Sequence, residues 1–101
     1  MQYKVILGSR VDSMLQRHIL FISNVSISRA ERFVDEFEEI VKQMKSNPFM
    51  FPFDTDENLP AEKYRKALFS RWYKALFWVE GDIVYLDAVC DCREDLSRVV
   101  Q

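Results

Sequence analysis

Apolar residues fall into two patterns along the chain, and the first is a short, nearly continuous run close to the N-terminus. Residues Tyr3 to Leu7 are rich in β-forming side chains, and Gly8-Ser9 closes the run. A short apolar run bounded by turn residues is typical of a buried strand. We therefore predict a β-strand over Tyr3–Leu7.

From Ser9 or Asp12 onward the apolar residues are instead spaced three and four apart, as far as about Ser23-Asn24. This spacing places them on one face of an amphipathic helix. The stripe consists of Val11, Met14, Leu15, His18, Ile19, Ile22 and Val25. The pattern predicts a first helix over this segment.

A second helical stripe follows after a short link. Ser26 and Ser28 both suit its N-cap, and Ser28 with Glu31 has the spacing of a capping box. Asn47-Pro48 ends the helix, because Pro offers no N–H and the residue before it disfavours helical geometry. The stripe consists of Ala30, Phe33, Val34, Phe37, Ile40, Val41 and Met44. Two amphipathic helices joined so closely are expected to pack as an antiparallel hairpin over roughly residues 9–46.

The segment Pro48–Ala61 reads as a loop. Four of its apolar side chains are expected to be tucked against the core, namely Phe49, Met50, Phe51 and Phe53. Its carboxylates are expected to be exposed, namely Asp54, Asp56 and Glu57.

Three further β-type runs complete the pattern: Tyr64–Phe69, Trp72–Val79 and Ile83–Cys90. The links between them, Ser70-Arg71 and Glu80-Gly81-Asp82, are short enough to force antiparallel hairpins. Together with the N-terminal strand they predict a four-stranded, largely antiparallel sheet with the helix hairpin on one face. The fold class is therefore α+β, in two layers and as a single domain over residues 1–101, and the other sheet face should carry most of the basic side chains.

Composition supports one globular domain, since the 101 residues are 49% hydrophobic and 30% charged. The formal charge of −2 gives no overall attraction to nucleic acid. No stretch approaches the roughly 20 apolar residues that span a bilayer, and the first residues lack the features of a signal peptide. We expect a soluble, cytoplasmic protein with no membrane partner and with its cysteines reduced.

The usual metal and catalytic motifs are missing from the sequence. His18 is the only histidine, which excludes a His–His catalytic pair, and its place in an apolar stripe favours a packing role. Cys90 and Cys92 form at most half of a metal site, with no second pair to complete it. We expect neither a metal nor another cofactor.

Basic and aromatic residues are interleaved along the two middle β-type runs. They are Lys63, Tyr64, Arg65, Lys66, Arg71, Tyr73 and Lys74. Strand alternation sends Arg65 to one face of the sheet and Tyr64 and Lys66 to the other, and Arg93 follows the last strand. Such a set suits phosphates and stacked bases, with Lys63, Tyr64 and Lys74 as binding residues. It is equally compatible with an ordinary solvated sheet face.

Several short motifs occur in a characteristic order. They are Met14-Leu15-x-x-His18-Ile19-x-x-Ile22, Val25-Ser26, Asn47-Pro48, Tyr64-Arg65-Lys66, Arg71-x-Tyr73, Glu80-Gly81-Asp82-x-Val84-Tyr85 and Asp91-Cys92-Arg93-x-Asp95. In this order they resemble the RelE/ParE superfamily of bacterial toxins from type II toxin–antitoxin modules, sometimes labelled plasmid-stabilisation proteins. The resemblance covers nearly the whole chain and implies a compact sheet with a helix hairpin across it.

The resemblance also implies a separately encoded antitoxin that wraps the toxin and masks its working surface. RelE-like members cleave mRNA on the ribosome, whereas ParE-like members are linked to poisoning DNA gyrase without nuclease chemistry. Growth arrest by one of these two routes is the implied function. The alternative is a catalytically inactive member that acts only in an antitoxin-binding, autoregulatory complex.

For the nuclease route, the resemblance implies roles for particular residues. Metal-free RNA cleavage needs cations on the developing phosphorane charge, a base for the 2′-OH and an acid for the leaving oxygen. Arg65, Arg71 and Arg93 would stabilise the charge. Lys66 and Tyr73 are the candidates for the acid–base pair. The nuclease branch often carries a tyrosine after its last arginine, and this chain has none after Arg93.

Overall fold

The computed structural model describes residues 2–94 and Leu96. Its elements are β1 (Lys4–Leu7), α1 (Val11–Val25), α2 (Ile27–Ser46), a 3₁₀ turn (Pro48–Met50), β2 (Arg65–Phe69), β3 (Tyr73–Glu80) and β4 (Ile83–Asp91). Each predicted helix and strand is present, with bounds close to those that the sequence pattern indicated. The tail from residue 97 and Asp95 of the last motif lie outside the described residues.

The four strands form one sheet in the order β1-β4-β3-β2. β1 runs parallel to β4, while β3 is antiparallel to both β4 and β2. The predicted α+β fold with a largely antiparallel sheet is therefore confirmed. One irregularity lies between Leu76 and Phe77, which pair with Ala88 and Leu86, so that Asp87 is the extra residue of a bulge.

The two helices share a single residue at their corner. Ser26 ends α1 and caps α2, where its hydroxyl accepts the backbone N–H of Arg29 at 3.3 Å. Of the two predicted caps, Ser26 is the one used, and Ser28 lies inside α2. The sharp corner leaves Val25 and Ile27 each 70% exposed at the tip of the hairpin. None of the helices in the described part of the chain is both long enough and apolar enough to cross a membrane.

The main core lies between the helix hairpin and the sheet. Its buried members are Val11, Phe33, Phe37, Ile40, Met44, Ala67, Phe69, Tyr73, Ala75, Phe77, Val84, Leu86 and Val89. At roughly 1.5–3 kcal/mol for each fully buried large side chain, this layer accounts for most of the hydrophobic stabilisation.

A second, smaller apolar cluster lies on the outer face of the sheet. It comprises Leu59, Tyr64, Leu76, Ala88, Cys90 and Leu96. Lys74 is also buried on this face, at 8% exposure. The outer face therefore carries Lys66 and Lys74, in line with the prediction for the basic side chains, but the apolar cluster at its centre was not predicted. Apolar side chains from the loop before β2 and from beyond β4 cluster there with the sheet.

The loop between α2 and β2 differs from its prediction in two ways. Phe49, Met50 and Phe53 are 52%, 56% and 37% exposed rather than tucked down, and only Phe51 is half-buried. Phe49 instead contacts the ring of Tyr3 at 5.9 Å between centroids, and the guanidinium of Arg65 lies over Phe49 and Phe53. The expected exposure of Asp54 was also wrong, because its carboxylate is 2.6 Å from the Nζ of Lys74.

The groups around Asp54 favour the charged form of its carboxylate. Burial by itself would raise the pKa of its carboxyl group. The hydrogen bonds from Lys74 and from the backbone of Asp56, together with the positive charges of Lys74 and Lys66, outweigh burial and lower the pKa overall. Asp54 thereby ties the loop to β3.

Candidate functional site

A cleft of about 370 Å³ opens where the helix hairpin meets the turn between β2 and β3. It is lined by Phe21, Ile22 and Val25 of α1, Arg29, Arg32 and Glu36 of α2, Ser70, Arg71 and Trp72 of the turn, and Tyr73 and Arg93. The cleft thus combines four arginines with exposed apolar side chains. Its two sides come from segments far apart in the sequence.

The β2–β3 turn sets one wall of the cleft. Ser70 and Arg71 both have left-handed backbones, with φ of 47° and 67°, and the N–H of Trp72 bonds to the carbonyl of Ser70 at 2.7 Å. Such conformations cost non-glycine residues roughly 1–2 kcal/mol each, so the surroundings must hold them. Glu36 accepts the N–H of Ser70 at 3.4 Å, and the carbonyl of Trp72 accepts the N–H of Cys92 at 2.6 Å.

Trp72 places two guanidinium groups beside its ring. The Cζ of Arg71 lies 5.2 Å from the ring centroid and that of Arg93 lies 5.1 Å from it. Both distances are within the range of cation–π attraction. Trp72 remains 46% exposed, so its ring can still be covered by a bound molecule. The turn therefore presents an aromatic surface flanked by positive charge.

Arg93 is oriented by the carboxylate of Asp91. Its Nε and Nη2 donate to the two oxygens of Asp91 at 2.8 and 2.5 Å, and its backbone N–H donates at 2.9 Å. The hydrogen bond from Arg93 is the main reason that the pKa of Asp91 is lowered, and the same bond raises the pKa of Arg93. The side chain of Arg93 is still 64% exposed. It is fixed in place yet reachable from solvent.

Tyr73, a predicted acid–base candidate, closes the base of the cleft. It is 6% exposed, and its ring packs edge-on against His18 and Phe33, each at 4.9 Å between centroids. Burial raises the pKa of Tyr73 above its ordinary value. The ring nitrogen Nε2 of His18 lies 2.9 Å from the carbonyl oxygen of Val89, which confirms the predicted packing role of that histidine.

Arg65 lies away from the other predicted arginines. In the β2–β3 register it pairs with Phe77, whereas Phe69 pairs with Tyr73 at the other end of the hairpin. Its guanidinium lies 4.1 Å from the ring of Phe53 and donates to the carbonyl of Phe51 at 2.7 Å. The structure therefore brings Arg71, Arg93 and Tyr73 together but leaves Arg65 outside the cleft.

Lys66 and Lys74 also lie outside the cleft. Lys74 pairs with Leu68 across β2 and β3, and Lys66 pairs with Leu76. Alternation along the strands places both lysines on the outer face, where Lys74 is bound to Asp54. As an acid–base partner for Tyr73, Lys66 is on the wrong side of the sheet.

Lys63 and Tyr64 form a separate group with Trp78 and with Asp87, the extra residue of the bulge in β4. The Nζ of Lys63 lies 4.8 Å from the ring of Trp78, while the Tyr64 hydroxyl and the Trp78 indole donate to Asp87 at 2.8 and 3.1 Å. Burial, followed by the bond to Asp87, raises the pKa of Tyr64 to about 12. These contacts support a structural role for Tyr64, and Trp78 is stacked in turn on Tyr85.

The helix side of the cleft was not predicted from the sequence. Arg29, Arg32 and Glu36 follow each other on one face of α2 at helical spacing, and Phe21 and Val25 do so on α1. Phe21 and Val25 are 65% and 70% exposed, which is unusual for such large apolar side chains on neighbouring turns. Phe21, a large apolar residue outside the predicted stripe of α1, was the signal in the sequence that could have located the cleft.

The chemistry of the cleft is that of binding. Its arginines can hold carboxylates or phosphates through paired N–H donors, and Trp72, Phe21 and Val25 offer apolar contact. In the described part of the chain no group of three or more His, Cys, Asp or Glu side chains could hold a metal ion.

Comparison with known proteins rests on structure. No family model and no curated protein matches the sequence. Among solved structures, the chain is similar to a "Chromosomal ParDE TA system from P. aeruginosa", with a TM-score of 0.68 and 15% sequence identity over 89% of this chain and 96% of that chain. The match includes both layers of the architecture described above. The chain therefore has a RelE/ParE-like fold.

Proposed function

We propose that the protein is the toxin of a type II toxin–antitoxin module, acting in the cytoplasm and neutralised by a cognate antitoxin. It arrests growth by binding a protein target, for which DNA gyrase is the leading candidate. Support comes from the fold that it shares with a solved ParDE toxin–antitoxin system and from the ordered motifs of the sequence. Within the superfamily, the ParE-like route is the one that needs no nuclease chemistry.

The observation that carries this proposal is the composition of the cleft. Four arginines lie beside exposed Phe21, Val25 and Trp72, a combination typical of the central residues of protein interfaces. A nuclease would also need a pair of groups that exchange protons. Tyr73 is buried with a raised pKa, so at neutral pH it keeps its proton and serves poorly as a base.

The same cleft suits an antitoxin. We expect an elongated, partly disordered partner that folds on binding, with acidic side chains against the arginines and apolar ones against the hairpin tip. Four arginines line the cleft, where Glu36 and the Asp91 carboxylate that binds Arg93 offset them in part, and the remaining positive charge favours an acidic partner.

Ribosome-dependent mRNA cleavage is the second candidate. One observation favours it, namely that Arg71 and Arg93 converge on the exposed ring of Trp72. A base could stack on that ring while the two arginines hold its phosphates. Lys66 cannot assist there, so the reaction would require an acid or base supplied by the ribosome.

Two purified assays separate the candidates: gyrase supercoiling of plasmid DNA, and translation from purified components with analysis of the mRNA. We expect the protein to inhibit supercoiling and to leave mRNA intact. Arg71→Ala should weaken inhibition by about 2 kcal/mol, or roughly thirtyfold in Kd, if it is a central interface residue. Arg65→Ala is the matched control, because it removes the same charge outside the cleft.

The opposite results are equally informative. Cleaved mRNA with unaffected gyrase would support the second candidate instead. Inactivity in both assays, together with retained antitoxin binding, would identify an inactive member that acts only in an autoregulatory complex. Equal effects of Arg71→Ala and Arg65→Ala would show that the cleft is not the working surface.

A further inference from the structure

The end of β4 brings three consecutive residues to the arginine cleft. Asp91 is the last residue of the strand and pairs with Tyr73 across the sheet. The N–H of Cys92 then donates to the carbonyl of Trp72 at 2.6 Å, and the side chain of Arg93 lines the cleft. The side chain of Asp91 is only 18% exposed, so its carboxylate is fixed at the strand end beside an exposed guanidinium.

The carboxylate of Asp91 binds one edge of the guanidinium of Arg93. Nε and Nη2 donate to its two oxygens at 2.8 and 2.5 Å. A guanidinium carries five N–H donors, so three remain on Nη1 and Nη2, and none of these is bonded to another residue in the described part of the chain. The edge formed by Nη1 and Nη2 can hold two oxygen atoms of a bound carboxylate or phosphate. The ion pair thus orients Arg93 and leaves the donors that a ligand needs.

Two further contacts restrict the same side chain. The backbone N–H of Arg93 donates to Oδ1 of Asp91 at 2.9 Å, and the Cζ of Arg93 lies 5.1 Å from the ring centroid of Trp72. An arginine that is free in solution loses much rotamer freedom when a partner binds it, which weakens the binding. Here a large part of that loss has already occurred in the free protein.

We propose that Asp91 is a positioning residue of the cleft, which holds Arg93 beside Trp72 with the Nη1–Nη2 edge of the guanidinium available to a bound partner. The inference rests on the proposed function, because it concerns affinity for the target of the cleft. Its effect is opposite in sign to that of charge alone. Removing a carboxylate makes the cleft more positive and would by itself favour an acidic partner, whereas the loss of positioning weakens binding.

Inhibition of gyrase supercoiling by Asp91→Asn distinguishes these two effects. Asn keeps an oxygen for the backbone N–H of Arg93 but replaces Oδ2, to which Nη2 donates, by an NH2 group. We expect the concentration for half-inhibition to rise about fivefold, since ordering one long side chain on binding costs roughly two- to tenfold in affinity. The matched control is Asp82→Asn, which makes the same change of charge before the other end of β4, outside the cleft, and should leave inhibition unchanged.

A second comparison asks whether Asp91 acts through Arg93. In a protein that already carries Arg93→Ala, the further change Asp91→Asn should alter inhibition by less than about twofold, because no guanidinium is left to position. Melting curves of all variants confirm that they are folded, as expected for an exposed ion pair.

Proton exchange at the Nε–H of Arg93, followed by NMR in the ¹⁵N-labelled full chain, tests the geometry without any target. We expect it to be roughly fivefold slower than at the exposed Arg32, for which no carboxylate partner is found among the described residues, and the difference should narrow in Asp91→Asn. A wild type that does not inhibit gyrase would remove the proposed target, and this measurement would still decide whether Asp91 holds Arg93.

Three results would overturn the inference. The first is unchanged or stronger inhibition of gyrase by folded Asp91→Asn, which would leave only the effect of charge. The second is an equal weakening by Asp91→Asn in the presence and in the absence of the Arg93 side chain. The third is equal exchange at the Nε–H groups of Arg93 and Arg32 in the wild type.

Discussion

The ion pair between Lys74 and Asp54 offers a quantitative test of how the loop before β2 is attached. Both side chains are largely buried, at 10% and 4% exposure. The substitution Asp54→Asn keeps the shape of the side chain and its acceptor for the N–H of Asp56 at 3.0 Å. It replaces Oδ2, the atom to which Lys74 donates at 2.6 Å, by an NH2 group, and so leaves the ammonium group of Lys74 buried without its counter-ion and without that hydrogen bond.

The expected loss is large. Removing one partner of a buried ion pair costs about 3–5 kcal/mol, and the slight exposure of Lys74 places this case near 3 kcal/mol. For a domain of this size that corresponds to a fall in Tm of roughly 12 °C or more. The matched control is Asp91→Asn at the exposed pair with Arg93, which should cost below about 1 kcal/mol.

Urea unfolding at pH 7, followed by circular dichroism, measures both variants. A double variant with Asp54→Leu and Lys74→Met should recover most of the lost stability, because it leaves no charge buried. If Asp54→Asn costs no more than Asp91→Asn, then the pair does not hold the loop and its burial has been overstated.

Three further predictions concern single residues. Because the pKa of Asp54 is lowered in the folded state, its contribution to stability is complete above about pH 4 and is lost as the pH falls through the folded-state pKa. The wild type should therefore lose more stability between pH 5 and 2 than Asp54→Asn does. Urea midpoints that fall in parallel for the two proteins would contradict this. Native protein at pH 8 should react with a thiol reagent at the exposed Cys92 only, because burial raises the pKa of Cys90 to about 12, and two fast thiols would contradict it. Gly81→Ala should cost about 1–2 kcal/mol of unfolding free energy, since φ is 62° there and a methyl group meets no neighbour; a more stable variant would show that the turn adopts another geometry.

The helices and strands could be predicted because their patterns are local. The period of three and four along α1 and α2 and the short apolar runs of the sheet each depend on neighbours in the sequence. The order β2-β3-β4 followed from the short turns, whereas the place of β1 beside β4 was not predicted. Covering one face of the sheet required the hairpin. No comparable rule exists for the loop Pro48–Ala61. Whether Phe49 is buried depends on its contacts with residues far away in the sequence, such as Tyr3.

The candidate site was predicted only in part, because some of its residues are brought together by contacts between distant segments. Arg71, Tyr73 and Arg93 lie together because they flank adjacent strand ends. Arg65 was grouped with them through the roles that the resemblance implies, although the length of β2 separates it from the turn. Arg29 and Arg32 lie on a face of α2 that the sequence pattern did not single out. Only the packing of α2 beside the β2–β3 turn brings that face to the cleft.

Growth of a bacterial culture during induced expression tests the central claim most directly. The wild type should arrest growth, and Arg65→Ala should do so equally. A variant with Arg71→Ala and Arg93→Ala should relieve the arrest while unfolding within about 1 kcal/mol of the wild type, since both side chains are largely exposed. Unimpaired growth with the folded wild type, or full arrest by the folded double variant, would contradict a toxin that acts through this cleft.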